Sequence, residues 1–143
     1  MKSRGIRNNN PLNIRRNPAN HWVGARKEVT DKTFEEFVGL AYGYRAAFIL
    51  LHRYICQYGK RTIAEIVGKW APAGDGSNNP AKYARDVSQM TGYAEDQVLS
   101  FLNREEMVGL AWAMSYVECG EHVPRDWIEE GYSLALRALG YKK

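Results

Sequence analysis

From Val38 onward the apolar residues repeat with the period of a helix; before it they do not. Ala47, Leu50, Leu51, Tyr54 and Tyr58 mark a first stripe, which Gly59 closes as a C-cap. Thr62 is a good N-cap for a second helix, which must end before Pro72. The run APAGDGSNNP at 71–80 reads as a loop, and a third helix is predicted from Pro80 to Met90, running up to Gly92. A short helix is expected after Ala94. Arg104 to Cys119 forms the fifth, with Met107, Leu110, Ala111 and Met114 on one side. Pro124, at a first-turn position, opens the last, which carries Trp127, Tyr132, Leu134 and Leu136 to Leu139 before Gly140.

The N-terminal part obeys other rules. Between Arg4 and Pro18, proline and asparagine disfavour a regular helix, because Pro removes a donor and Asn competes for backbone hydrogen bonds. In HWVGARKEVTDKTFEEF (21–37), Trp22, Val23, Val29, Phe34 and Phe37 are spaced by polar residues, the pattern of a short β-hairpin. The expected organisation is one domain over 1–143: an Asn-rich loop (1–18), a β-hairpin (19–37), a helical body (38–120) and an extra C-terminal helix (121–143). The class is mainly α, of α+β type.

Length and composition fit that picture. A chain of 143 residues, 45% hydrophobic and 12% aromatic, can bury one core. Its net charge of +4 hides an asymmetry: residues 1–60 carry eleven Lys/Arg against four acids, and 61–143 carry nine against twelve. A basic N-terminal face would attract a polyanion, but excesses this small are common on solvated surfaces and no nucleic-acid recognition motif accompanies it. No nucleic-acid partner is therefore expected. Cys56 and Cys119 lack the paired spacing of a metal or redox site and read as reduced thiols. With no apolar signal segment and no run long enough to span a bilayer, the chain is expected to be made in the cytoplasm.

The candidate chemistry follows by elimination. His21, His52 and His122 are far apart, with no i, i+4 pair, so neither a metal nor another cofactor is expected. Nucleophile elbows and phosphate loops are missing. Carboxylates remain, and Glu118 stands out among them. It continues the stripe of Met107, Leu110, Ala111 and Met114 at the last turn before Gly120. Burial and the negative end of the helix should both raise its pKa, giving an acid still protonated near neutrality, as general-acid cleavage of a glycosidic bond requires. Periodicity alone favours a Glu at the edge of the stripe that bends to water or pairs with an arginine.

Several motifs bear on that choice. RGIRNNNPLNIR (4–15), Trp22-Val23-Gly24, Phe34-Glu35-Glu36-Phe37, Gly43-Tyr44-Arg45-Ala46, Thr62-Ile63 with Trp70-Ala71-Pro72, Asn79 with Tyr83, and Ala113-Met114 with Glu118-Cys119-Gly120 resemble a bacteriophage and prophage family. Its members are virion structural or lysozyme-like proteins taken to cleave peptidoglycan. The resemblance covers Arg4 to about Gly120, with two departures: many relatives carry Gly at the position of Leu12 and Asn at that of Cys119.

The resemblance implies a lysozyme-like fold with Glu118 as catalytic acid and base. Since the asparagines come before the Glu-x-Gly turn and not after it, it further implies a circular permutation, with Glu118 facing the asparagines across one groove. On this reading Asn10, Asn13, Asn79, Trp22, Trp70 and Tyr83 bind glycan, the amides by hydrogen bonds and the rings as flat apolar faces. A Trp in a hairpin or before a Pro is more often core, and Tyr83 can simply pack its helix, so Asn10 and Asn13 rank ahead of the aromatics. A second carboxylate would come from Glu28, Asp31, Glu35 or Glu36; without one, the chemistry is that of a lytic transglycosylase. The implied partner is the peptidoglycan glycan strand, reached after phage- or lysis-dependent release. The competing reading is a non-catalytic phage structural protein that keeps the scaffold.

Overall fold

The helices start and stop where the sequence supplies caps. In the computed structural model, which describes residues 2–73 and 78–141, six α-helices appear: α1 (Arg4–Arg7), α2 (Leu40–His52), α3 (Ile63–Trp70), α4 (Pro80–Thr91), α5 (Arg104–Cys119) and α6 (Arg125–Ala138). Thr62 and Glu65 form a reciprocal capping box on α3, and Asn79 and Asn103 cap α4 and α5 through their side-chain oxygens. Gly92 and Gly120 end α4 and α5 in the left-handed conformation, at φ +81° and +72°. The centre of the loop expected at 71–80, residues 74–77, lies outside the described residues.

The chain differs from the sequence reading at four places. First, α1 forms one helical turn inside the Asn-rich loop because the Ser3 hydroxyl accepts from the Ile6 N–H. Second, residues 19–37 form turns and not paired strands. Among the described residues only isolated antiparallel bridges occur, Arg15 with Phe34 and Ala25 with Phe37. Val23 and Val29, expected on a hairpin face, are more than half exposed, at 55% and 57%. Third, Arg53–Gln57 continues α2 as a π-helical turn. A π turn takes up an extra residue and rotates the stripe, so Leu51 is buried while Tyr54 is half-buried and Tyr58 exposed. Fourth, residues after Ala94 make a turn without a helix.

One apolar cluster joins all the longer helices. Helix α2 lies along α6, α4 bridges α3 and α5, and α5 also meets α6, α2 and α1. The C-terminal helix is thus a main partner of α2 and no peripheral addition. Tyr132 stacks edge-on against Phe48 at 5.1 Å and donates to the Phe101 carbonyl at 2.6 Å. Each fully buried residue of this size contributes about 1.5–3 kcal/mol. Met107, Val108, Leu110, Ala111, Ala113 and Met114 are all buried, so the body of α5 is gripped around much of its circumference, while its last turn is half-buried or exposed.

The Asn-rich loop is packed onto this frame through two glycines. A Cβ on Gly43 of α2 would sit 2.1 Å from the Asn9 carbonyl oxygen. One on Gly5 of α1 would sit 2.6 Å from Cys119 Sγ and 2.9 Å from Asn13 Oδ1. The loop therefore wedges between the start of α2 and the end of α5, which only a missing side chain permits. Gly43→Ala is expected to cost about 2–3 kcal/mol through overpacking, read as a lower urea midpoint; an unchanged midpoint would mean that the loop can lift off α2.

Candidate active site at the end of helix α5

Four asparagines in a row of six residues invite one shared role, yet each does something different. Asn8 Nδ2 donates to Asp31 at 2.9 Å, and Asn9 Nδ2 to the Phe37 carbonyl at 3.0 Å. Asn10 donates to the carbonyls of Ile14 and Glu35 at 2.9 and 3.0 Å and accepts from the Ile14 N–H at 2.9 Å. It is 1% exposed, with both ends of its amide engaged. The expectation that Asn10 contacts a glycan is corrected: it is a staple that replaces strand pairing between the loop and residues 33–37.

Asn13 does reach Glu118. Its Nδ2 lies 3.1 Å from Oε1 and 3.4 Å from the Glu118 main-chain oxygen. Asn9 and Asn13 take the left-handed backbone, at φ +52° and +53°, which Asn tolerates better than most residues. Leu12 is outside that region and is buried at 1% exposure. Cys119 Sγ contacts the Pro11 carbonyl oxygen at 3.0 Å.

On the other side, Tyr83 of α4 donates to Glu118 Oε2 at 3.0 Å. Its ring is buried at 7% exposure, so Tyr83 presents no flat face to a ligand. Glu118 itself is half-buried. Burial raises its pKa above the ordinary carboxylate value, against the opposing pull of the Asn13 and Tyr83 hydrogen bonds and the positive charge of Arg15.

Glu118 borders two hollows. The larger, about 550 Å³, runs between the asparagine loop and the end of α3 and includes Asn13, Arg15, Asn17, Asn20, Tyr54 and Trp70. The smaller, about 220 Å³, lies toward α4 and includes Asn79, Lys82 and Tyr83. Trp70 forms part of the larger groove's wall, its Nε1 donating to the Leu12 carbonyl at 3.3 Å. Asn79 borders the smaller hollow, with its side-chain oxygen accepting from the Lys82 N–H at 3.1 Å. Trp22 lines a third depression that shares Arg16, Asn17, Pro18 and Asn20 with the groove. Glu118, Asn13 and Trp70 thus come together; Asn79 and Trp22 stand at either end, and Asn10 and Tyr83 support from beneath. Arg15, Asn17, Asn20 and Tyr54 were not singled out by sequence. Tyr54 belongs to the predicted apolar stripe and lines the groove with Leu50, one helical turn earlier.

The acids considered as a second carboxylate have other partners. Asp31 takes both Arg4 nitrogens, at 2.6 and 2.7 Å, and the Asn8 amide. The Arg4 guanidinium, foremost, holds its carboxyl well below the usual range. Glu36 is fully buried; burial alone would raise its pKa, but the Thr30 hydroxyl, the N–H groups of Asp31 and Thr30, and Arg16 together bring it down to about 2. Glu35 pairs with Arg16 at 3.2 Å. Glu28 is exposed. Among the described residues lining the groove, Glu118 is the one acid. Among the described residues no group of three His, Cys, Asp or Glu could hold a metal ion, and no helix is long and apolar enough to cross a membrane.

These features define a mainly helical protein with a polar groove in which, among the described residues, Glu118 is the one carboxyl. No family model matches the sequence. The chain is 35% identical over 133 residues to Protein P5 of Pseudoalteromonas phage PM2, a match that covers 91% of this chain and 80% of the phage protein. It belongs to the same family as that bacteriophage protein.

The paired acids set a pH dependence. Asp31 and Glu36 have folded-state pKa values below their unfolded ones, so their stabilisation is complete above about pH 5 and is lost as pH falls toward 2. The urea midpoint is expected to drop between pH 5 and pH 3. Asp31→Asn should be less stable at pH 7 and show a shallower acid loss; an equally steep loss would assign the effect to other carboxylates.

Proposed function

We propose that this protein is a lysozyme-like enzyme that cleaves the glycan strands of peptidoglycan, with Glu118 as its general acid and base. The observation that carries the reading is the Glu118 carboxyl, half-buried beside a polar groove, with a raised pKa and both oxygens held by Asn13 and Tyr83. A carboxyl whose pKa is raised is the kind of group that protonates a leaving glycosidic oxygen. The groove volume is in the range of small-ligand sites, and its asparagines, tyrosine and tryptophan are of the kinds that bind N-acetyl groups and pyranose rings. A circularly permuted arrangement accounts for the asparagine loop preceding the acid in the chain.

The lone acid in the described groove favours a lytic transglycosylase over a two-carboxylate hydrolase. Glu118 gives its proton to the leaving oxygen as the C1–O bond breaks. The resulting carboxylate then takes the proton of the C6 hydroxyl of the same sugar as that oxygen bonds to C1, leaving a 1,6-anhydro end without consuming water. Such an enzyme would act at the cell wall after phage-dependent release. The second reading, a non-catalytic phage structural protein, draws support from Asn8, Asn9 and Asn10, whose side chains serve the fold.

Incubation with purified sacculi, followed by mass spectrometry of the released fragments, is expected to give muropeptides with anhydro ends. Ordinary reducing ends would indicate a hydrolase, and no release at all would favour the structural reading. Glu118→Gln should lower the rate by at least about a hundredfold. Its thermal midpoint at pH 7 should not fall, because the charged form is the one burial disfavours. Full activity in the variant would remove Glu118 from the chemistry.

A further inference from the structure

The two groups that touch the Glu118 carboxyl differ in what they can do when it changes charge. The Asn13 amide is fixed as a donor: Nδ2 faces both Oε1 and the Glu118 main-chain oxygen, at 3.1 and 3.4 Å. Turning it over would set Oδ1 against both oxygens, so the orientation holds although Oδ1 is itself buried with no donor. An N–H serves an ionised oxygen and cannot accept from a protonated one. A hydroxyl can do both. Tyr83 Oη lies 3.0 Å from Glu118 Oε2 and 3.5 Å from the Met114 main-chain oxygen, and it has one proton to direct to either. With Glu118 ionised, the shorter and charge-assisted bond takes that proton.

We propose that the exchangeable proton of Glu118 resides on Oε2, and that Tyr83 is a positioning residue whose hydroxyl reverses its hydrogen bond as that proton comes and goes. When Glu118 is ionised, Tyr83 donates to Oε2. When Glu118 is protonated, Oε2–H donates to Tyr83, which turns its own O–H to Met114. The inference builds on the reading of Glu118 as an acid that becomes a base. In one cycle the carboxyl loses its proton to the leaving oxygen and regains one from the attacking hydroxyl, while Tyr83 rotates out and back. Tyr83 keeps its own proton throughout, since burial foremost, and then the charge of Glu118, hold its pKa well above the ordinary tyrosine value. Rotation of one O–H moves no heavy atom, so both charge states fit the same packed site. Among the described residues, the other titratable groups around the carboxyl are Arg15 and Arg16 on the loop, Tyr54 after α2, Lys69 on α3, Lys82 and Asp86 on α4 and Cys119 on α5. They set the surrounding potential equally with and without the Tyr83 hydroxyl.

Carbon-13 NMR of the intact protein tests this apart from activity. Across the Glu118 titration the Met114 carbonyl signal is expected to shift with the same midpoint as Glu118 Cδ. Tyr83→Phe should abolish that shift and raise the Glu118 midpoint by about one pH unit, because the lost donor favoured the charged form. The alkaline limb of kcat/KM should move up with it. A Met114 signal that stays fixed in the wild-type protein overturns the switch, whether or not the variant folds. If sacculi are still cleaved, only the Tyr83 role is lost; if they are not, the catalytic reading falls, and the Met114 signal still decides whether the hydroxyl turns.

Discussion

The bond between Asn13 and Glu118 is the constraint from which the site follows. It ties the first fifteen residues to the last turn of α5, 105 positions away, and it exists only because the loop is wedged between two helices. Remove the wedge and the groove loses a wall, the carboxyl regains water, and its raised pKa has no cause. The glycines at 5 and 43 are therefore as much a part of the site as the acid, though neither lines the groove itself.

Two opposite treatments of buried carboxylates stand side by side in this small protein. Asp31, Glu35 and Glu36 are satisfied by guanidinium groups, N–H donors and the Thr30 hydroxyl, and act as internal anchors for a segment with almost no strand pairing. Glu118 accepts from two neutral donors, Asn13 and Tyr83, and desolvation prevails over these hydrogen bonds and the positive charge of Arg15. Local surroundings alone separate the two kinds. A segment of turns needs such anchors because isolated bridges supply few backbone bonds, and each buried carboxylate offers up to four acceptor sites.

Much of the helical body was legible because caps and periodicity are local. Arg104 to Cys119 has the bounds that its stripe and Gly120 announce, and Thr62 caps α3 as its residue type suggests. The same counting put Glu118 on the apolar stripe but left open whether it bends to water, and it is half-buried. The region before Val38 was not legible in the same way, since its order comes from side chains that reach partners 23 to 28 residues away, as Asn8 to Asp31 and Asn9 to Phe37. Alternating apolar residues looked like a hairpin, but Val23 and Val29 have nothing to pack against. Nor could spacing separate Asn10 from Asn13: one closes on the backbone and the other opens on the groove. The π turn at Arg53–Gln57 carries no sequence signature.

The thiol at the end of α5 has a practical side. Cys119 is pressed against Gly5 and the Pro11 carbonyl, and burial, above all, pushes it up to about 11, so at neutral pH it offers almost no thiolate to an electrophile. Cys56 is free and exposed. A maleimide dye would therefore attach at one place, and slow labelling of the second cysteine would time how often the N-terminal arm peels away from the helix that bears the acid.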